Sequence, residues 1–193
     1  MKNLNDITVV IVTYKTSEKI IFDCLKSLSP EIKIIIIENS TNFIHEKKVL
    51  SNFSNVKIVC TGDNLGYGKG NNFGLKLVKT NYALILNPDV ICDKSFFDNI
   101  IDVTSEIGDF TIIGCQYLND KIFMPAGFFD NKENEKFTKY FKNDEINDLT
   151  KVDWVTGCSM LLNIKKFDNK KIFDENFFLY FEQFDLCKSL KKR

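Results

Sequence analysis

The sequence predicts an α/β fold: a mainly parallel sheet with helices on both faces. Three observations predict it. Short, continuous apolar runs recur along the first half of the chain, as strands covered on both sides require. Stretches with a helical stripe separate them, which calls for right-handed crossovers between parallel neighbours. Polar residues gather just after each run, at the carboxyl ends of the strands, where ligands bind in sheets of this kind.

Each element follows from local signals. Ile7–Thr13 is the first strand. Thr16 or Ser17 can cap the next helix, in which Ile20, Ile21, Cys24, Leu25 and Leu28 form one stripe that stops near Pro30. Residues 32–37 make a second buried strand, ending in Glu38-Asn39-Ser40-Thr41. A weaker amphipathic stretch at 43–53 leads to a strand at Val56–Cys60. The loop "TGDNLGYGKGNN" then enters a helix carrying Phe73, Leu77 and Val78, and Tyr82–Leu86 is the next strand. Beyond Asp89 the alternation weakens. Residues 95–107 read as helix, 111–115 as strand and 121–129 as strand-like. The Asn-, Asp-, Glu- and Lys-rich segment 130–149 lacks a clear stripe and reads as a mobile surface excursion. Residues 152–155 and 159–164 flank "TGC" as a strand pair, and 177–193 read as helical, with Phe181, Phe184, Leu186 and Leu190 as apolar positions.

Composition narrows the function. With 193 residues, 44% apolar and 27% charged, the chain is expected to form one domain with a real core. Lys plus Arg and Asp plus Glu both count 26, so no basic field exists to hold nucleic acid. The 6 cysteines form no C-x-x-C pair, which is the usage of reduced thiols in a cytoplasmic protein. No apolar run approaches the roughly 18 residues of a membrane span, and the first strand is too short for a signal-peptide core. His45 is the sole histidine, so chemistry that needs two is excluded.

Motifs narrow it further. The turn after the first strand, "TYKTSE", has no glycine and is neither a dinucleotide fingerprint nor a P-loop. The cluster Gly66, Gly68, Gly70 is either a turn with a helix start or a backbone that approaches a ligand, with Asn64, Asn71 and Asn72 as amide partners and the helix N-terminus favouring an anion. Asp89, in "YALILNPDV", is by itself most simply a cap or turn residue, but it is also a hard oxygen ligand for Mg²⁺ or Mn²⁺. Glu38 can end a strand or accept hydrogen bonds from a ribose or base edge. Lys69 can meet phosphate, although a loop lysine is usually just solvated. Glu182 and Asp185 share a helix face at i and i+3, where either can take a proton from a nucleophile. Trp154 beside Gly157 is either core or the wall of a sugar site.

Taken together and in order, "VVIVTY", "IIIIENST", "NLGYGKGNNFGL", "ALILNPDV", "DWVTGCSMLL" and "FDENFFLYFEQFDLC" resemble a family 2 inverting glycosyltransferase of the GT-A type, closest to bacterial rhamnosyltransferase-like members that build surface polysaccharides. The resemblance runs nearly the whole chain. It implies a Rossmann-like GT-A (nucleotide-diphospho-sugar transferase) fold and a single catalytic domain over 1–193. About 1–90 would be its nucleotide-binding half and 91–193 its acceptor-side half, truncated at the C-terminus. It also implies that Thr13, Tyr14, Glu38 and Asn39 contact the nucleoside of a UDP- or dTDP-sugar, and that Asn64, Gly66, Tyr67 and Asn72 line its ribose and phosphate side. Asn87-Pro88-Asp89 matches the family's variant of D-x-D, with Asn87 at the donor and Asp89 on Mg²⁺ or Mn²⁺. Trp154, Gly157 and Cys158 match the segment near sugar and acceptor, the acceptor being a saccharide or lipid-linked saccharide. The implied setting is cytoplasmic, at or near the inner face of the plasma membrane; Lys188, Lys191, Lys192 and Arg193 read most simply as a solvated tail and otherwise as a contact with an anionic membrane surface, and a homodimer is compatible with the resemblance.

The pattern departs from the family at three places. Gln183 stands where members similar to this one carry the acid read as the base, so Glu182 or Asp185 is expected to replace it. Lys188 and Ser189 stand where an arginine is expected. No acceptor-side segment with a metal-ligating histidine follows. The alternative is a catalytically degenerate sugar-nucleotide-binding module acting as a partner subunit.

Overall fold

The computed structural model describes residues 3–115, 125–142, 149–169 and 171–192, with side chains omitted at 140–142. Its sheet contains β1 (Ile7–Thr13), β2 (Lys33–Glu38), β3 (Val56–Cys60), β4 (Tyr82–Leu86), β5 (Ile112–Gly114) and β8 (Ser159–Asn163), in the spatial order β3-β2-β1-β4-β8-β5. The first four strands are mutually parallel, while β8 runs antiparallel to both of its neighbours. A separate two-stranded ribbon joins β6 (Ala126–Gly127) to β7 (Trp154–Val155).

The continuous apolar runs are explained by two cores, one on each face of the sheet. Alternate residues point to opposite faces. Ile7, Val9 and Ile11 of β1, with Ile34, Ile36, Leu84 and Leu161, form one core. It is closed by α1 (Glu18–Lys26), α2 (Glu46–Asn52) and α4 (Phe96–Ile107), which contribute Ile21, Val49 and Phe97. Val10, Ile35, Ile37, Ile85, Met160 and Leu162 form the other core, under α3 (Tyr67–Leu77) and α6 (Glu182–Lys191). Burying each such side chain contributes about 1.5–3 kcal/mol.

The glycines of α3 set how closely it lies to this sheet. A Cβ added at Gly74 would fall 2.5 Å from Val10 Cγ1. At its N-cap, Gly66 adopts φ 78°, and a Cβ there would fall 2.1 Å from the Phe178 carbonyl oxygen. Gly66 meets the Phe178 backbone, Gly68 and Gly70 meet the side chains of Phe173, Asn39 and Val12, and α3 starts at Tyr67, as a turn with a helix start requires.

Three expectations need correcting. Residues 152–155 and 159–164 do not pair with each other: β7 pairs with β6, and β8 inserts between β4 and β5. The surface excursion contains a helix, α5 (Asn131–Lys142). Asp130 caps it through Oδ1, which accepts the Lys132 and Glu133 amides at 3.0 Å, and buried Phe137 packs on Phe128 with ring centroids 5.6 Å apart. Helix at the C-terminus starts only at Glu182, because Tyr180 and Phe181 take left-handed φ values of 69° and 67°. Residues 121–124, 143–148 and Arg193 lie outside the described residues. Among the described residues, no helix is long and apolar enough to cross a membrane.

Candidate functional site

The carboxyl ends of β1, β2 and β3 lie in register, with Thr13 opposite Glu38 and Glu38 opposite Cys60. Glu38 is 1% exposed and fully engaged. Its Oε2 accepts the Thr13 hydroxyl at 2.6 Å, and its Oε1 accepts the Ser40 hydroxyl at 2.6 Å and the Lys15 amide at 3.3 Å. Lys15 reaches it through a left-handed φ of 51°. A buried carboxylate is tolerated here because its oxygens face donors.

Hydrogen bonds extend from this point across segments far apart in sequence. The Asn39 amide donates to the Thr13 carbonyl at 2.7 Å, and Asn39 Nδ2 donates to the Gly66 carbonyl at 2.9 Å. The Tyr67 phenol donates to the Gly157 carbonyl. One residue on, the Cys158 carbonyl accepts the Asn87 amide at 2.9 Å. Thr13, Glu38, Asn39, Gly66, Tyr67, Gly157 and Asn87 are thereby brought together along one rim.

A strap, residues 172–181, closes one side of this rim. Asn72 is fully buried and clamps it: Oδ1 accepts the Ile172 and Phe173 amides at 2.9 and 3.0 Å, while Nδ2 donates to the Phe173 carbonyl at 2.8 Å and Glu175 Oε1 at 3.2 Å. The Tyr67 amide donates to the Phe178 carbonyl at 2.9 Å, and the Gly66 amide to Asn64 Oδ1 at 3.1 Å. These partners occupy donors of the α3 N-terminus that the sequence reading offered to an anion.

The strap ends in strain and an unusual acid. Tyr180 and Phe181 are consecutive non-glycine residues at left-handed φ, an arrangement costing roughly 1–3 kcal/mol each. Directly after them, Glu182 opens α6, 2% exposed, its Cβ packed over Gly68. Its Oε2 is buried without a hydrogen-bond partner. Burial pushes its carboxyl above the ordinary 4.5, with backbone amides of Glu182 and Tyr180 partly offsetting this. Asn39 Oδ1 and Asn71 Oδ1 are likewise buried acceptors without a partner. Orphan acceptors are costly unless a donor arrives from elsewhere.

Apart from Asn64, which is joined to it through the Gly66 amide, the other candidates stand outside this connected group. Tyr14 is 47% exposed, with Lys15 Nζ 5.2 Å from its ring centroid. Asn64 is exposed, and Asp185 is exposed one turn beyond Glu182. Trp154 is half-buried, donates from Nε1 to the Phe128 carbonyl at 3.4 Å and lies against Phe184 with ring centroids 4.7 Å apart. Asp89 is exposed on the turn after β4, where the Val90 amide bonds back to the Asn87 carbonyl at 3.2 Å. Its carboxylate has no hydrogen bond or ion pair among the described residues, nor does any cluster of three or more His, Cys, Asp or Glu suited to a metal occur among them. A single free carboxylate fits a hard cation that takes its remaining ligands from phosphate and water.

Sequence reasoning missed the Ser40 hydroxyl and the Lys15 amide as partners of Glu38, and Phe173 and Phe178 as carriers of the strap; Lys15, Phe173 and Phe178 act through main-chain groups, which leave no residue-type signal. Two surface clefts, of about 340 Å³ beside Leu25, Pro30 and Phe53 and about 150 Å³ beside Phe167 and Leu190, include none of the candidate residues. The candidate residues of the rim are gathered by hydrogen bonds, away from both clefts.

Comparison with known proteins bears on the family and the fold. The model of the family described as Glycosyl transferase family 2 matches residues 8–169. The low-salt glycan biosynthesis hexosyltransferase Agl10 of Haloferax volcanii is 25% identical over 193 residues, 95% of this chain and 61% of that protein. Rhamnosyltransferase WbbL of Escherichia coli K12 is 25% identical over 179 residues, 80% of this chain and 64% of that protein. Residues 1–349 of S. aureus TarS, solved in complex with UDP, superpose with a TM-score of 0.64 at 18% identity, over 97% of this chain and 54% of that one. The chain thus spans less than two thirds of the length of each of these relatives, and the TarS likeness speaks for the fold alone. With the family model covering most of its length, the chain belongs to glycosyl transferase family 2 and has the α/β GT-A fold.

Proposed function

We propose that the chain transfers a sugar from a UDP- or dTDP-sugar to an acceptor hydroxyl with inversion, in the building of a bacterial surface polysaccharide. The names of the matched relatives, a hexosyltransferase of glycan biosynthesis and a rhamnosyltransferase, support the reaction class. The observation that carries it is Glu182: a buried carboxylate with a free Oε2 and an elevated pKa, adjoining the rim. A base of raised pKa accepts a proton more readily once ionised. The acceptor O–H gives its proton to Glu182, the oxygen bonds to the anomeric carbon, and the bond to the diphosphate breaks with its electron pair leaving on the diphosphate. Thr13, Glu38, Asn39 and Gly66 form the nucleoside and ribose side, with Asn39 Oδ1 free to accept a donor hydroxyl. Asp89 would hold Mg²⁺ or Mn²⁺, whose charge offsets that developing on the diphosphate. The acceptor is a saccharide or lipid-linked saccharide.

The test is transfer from UDP- and dTDP-sugars to a panel of acceptors, with donor affinity measured by calorimetry in Mn²⁺. Asp89→Ala is expected to abolish metal-dependent donor binding, and an unchanged affinity rejects its role. Gln183, half-buried beside Glu182, favours a second reading: a donor-binding module without turnover. Binding with no transfer or hydrolysis, even after Gln183→Asp, establishes that reading instead.

A further inference from the structure

The family pattern puts Asn72 on the ribose and phosphate side of the donor, yet its hydrogen-bonding capacity is spent inside the protein. An amide side chain offers two N–H donors and two acceptor lone pairs. Asn72 Oδ1 takes the Ile172 and Phe173 amides, and both Nδ2 protons have acceptors, the Phe173 carbonyl and Glu175 Oε1. Nothing is left for a ribose hydroxyl, and the residue is wholly buried.

What these bonds hold is the backbone that leads to Glu182. Residues 172–181 form neither helix nor strand, so no ladder fixes their path. Helix α3 fixes it at three levels. Asn72 grips the entry. Gly68 admits the strap, since a Cβ there would stand 3.1 Å from Phe173 Cβ and 3.6 Å from Glu182 Cβ. The Tyr67 amide then holds the Phe178 carbonyl at 2.9 Å. The entry is packed as well as bonded: Phe173 is buried, edge-on to the Tyr67 ring with centroids 6.0 Å apart. Left-handed Tyr180 and Phe181 follow, and the Tyr180 amide bonds the Glu182 carboxylate. Such backbone persists only where its surroundings over-determine it, and the Asn72 bonds contribute to that upstream. The same helix is seated on the donor side, because a Cβ at Gly70 would meet Asn39 Nδ2 at 3.0 Å and Oδ1 at 3.1 Å. Helix α3 thus touches both Asn39 and the strap.

We propose that Asn72 is a positioning residue: through the strap it fixes the Glu182 carboxylate relative to the donor side, and it does not itself touch the donor. This rests on the transferase reading above, in which Glu182 is the base. Steady-state transfer is to be measured beside an NMR titration of the Glu182 carboxyl carbon, assigned as the glutamate signal lost in Glu182→Gln. Asn72→Ala is expected to lower kcat about 10–100-fold, the scale of a catalytic group misplaced by about 1 Å. UDP affinity by calorimetry and the KM for the donor should stay at the parent's values. The Glu182 midpoint should fall toward the ordinary 4.5, as a loosened strap admits water to the carboxylate. Asn72→Asp sets an acceptor against the Phe173 carbonyl and the Glu175 carboxylate, and should behave likewise. Adding Glu175→Gln, whose amide can donate to it, should recover part of both kcat and the midpoint. A UDP affinity that drops while kcat at saturating donor holds makes Asn72 a donor ligand and overturns the proposal. So does an unmoved midpoint in a folded variant. If Asn72→Ala does not fold, Glu175→Ala removes a single bond of the clamp and carries the same comparison with a smaller expected loss. A parent that transfers to no acceptor fails the transferase reading, and the midpoint then decides separately whether Asn72 holds Glu182.

Discussion

Glu38 and Glu182 are the same residue, equally hidden, in opposite surroundings. The first, at the end of β2, is met by two hydroxyls and an amide. The second, at the start of α6, keeps one oxygen bare behind a strained turn and carries a raised pKa. A carboxylate satisfied by its own fold is a strut. One left with a bare oxygen is the base on the proposed reading, since an unmade bond in a dry site costs stability that an incoming group recovers. The sheet side of the site is therefore assembled in advance, and the strap side is where chemistry is expected.

The sharpest way to break this contrast is Glu182→Gln. It should lower turnover by about 10²–10⁴-fold, the usual worth of a general base, while leaving donor binding intact. A pH series checks the same residue independently of activity. A raised carboxyl pKa gives stability that is complete below the ordinary 4.5 and lost as pH climbs through the folded value. The melting temperature of Glu182→Gln should therefore overtake that of the parent as pH rises from 4 toward neutrality, by scanning calorimetry. A gap that stays flat means Glu182 is not buried as a charge. Glu38→Gln should cost about 2–3 kcal/mol in urea unfolding, because an amide nitrogen would then confront donors. If both variants lose stability alike, the strut-and-tool distinction fails.

The smallest expected effect concerns how α6 is anchored. Lys191 Nζ lies 2.6 Å from Asp153 Oδ2, which also accepts the Phe129 amide at 3.0 Å. Burial pushes the Asp153 carboxyl up, but Lys191 and that amide outweigh it and hold it below the ordinary 3.8. Lys191 is half exposed, so Lys191→Ala should cost at most about 1 kcal/mol. The loss should fade as acid protonates Asp153. Turnover well below the parent's at saturating substrates would show that the far end of α6 tunes Glu182.

How much of this was readable beforehand depended on the range of the interaction. β1 to β4 were legible because a strand buried on both faces is apolar throughout, and so were the polar residues at their ends. The insertion of β8 between β4 and β5 was not, since antiparallel pairing across that distance leaves no local trace. "TGC" invited a hairpin, yet Gly157 and Cys158 carry the chain from the ribbon to the main sheet. The helix after Asp130 was overlooked although Asp130 and Glu133 stand in capping-box spacing. Phe181, Phe184 and Leu190 suggested one long helix, and nothing in their order announces left-handed backbone at Tyr180. The candidate list held most of the rim, while the strap that completes it is tied through carbonyls and amides that every residue possesses.

Tyr67 grips the strap through its amide and the Gly157 corner through its phenol. Two walls are thus referenced to a single side chain whose reach is invariant. On the transferase reading proposed above, the gap between them sets the room for the sugar, and replacing Tyr67 would release the Gly157 corner while keeping the strap bond, which belongs to the main chain.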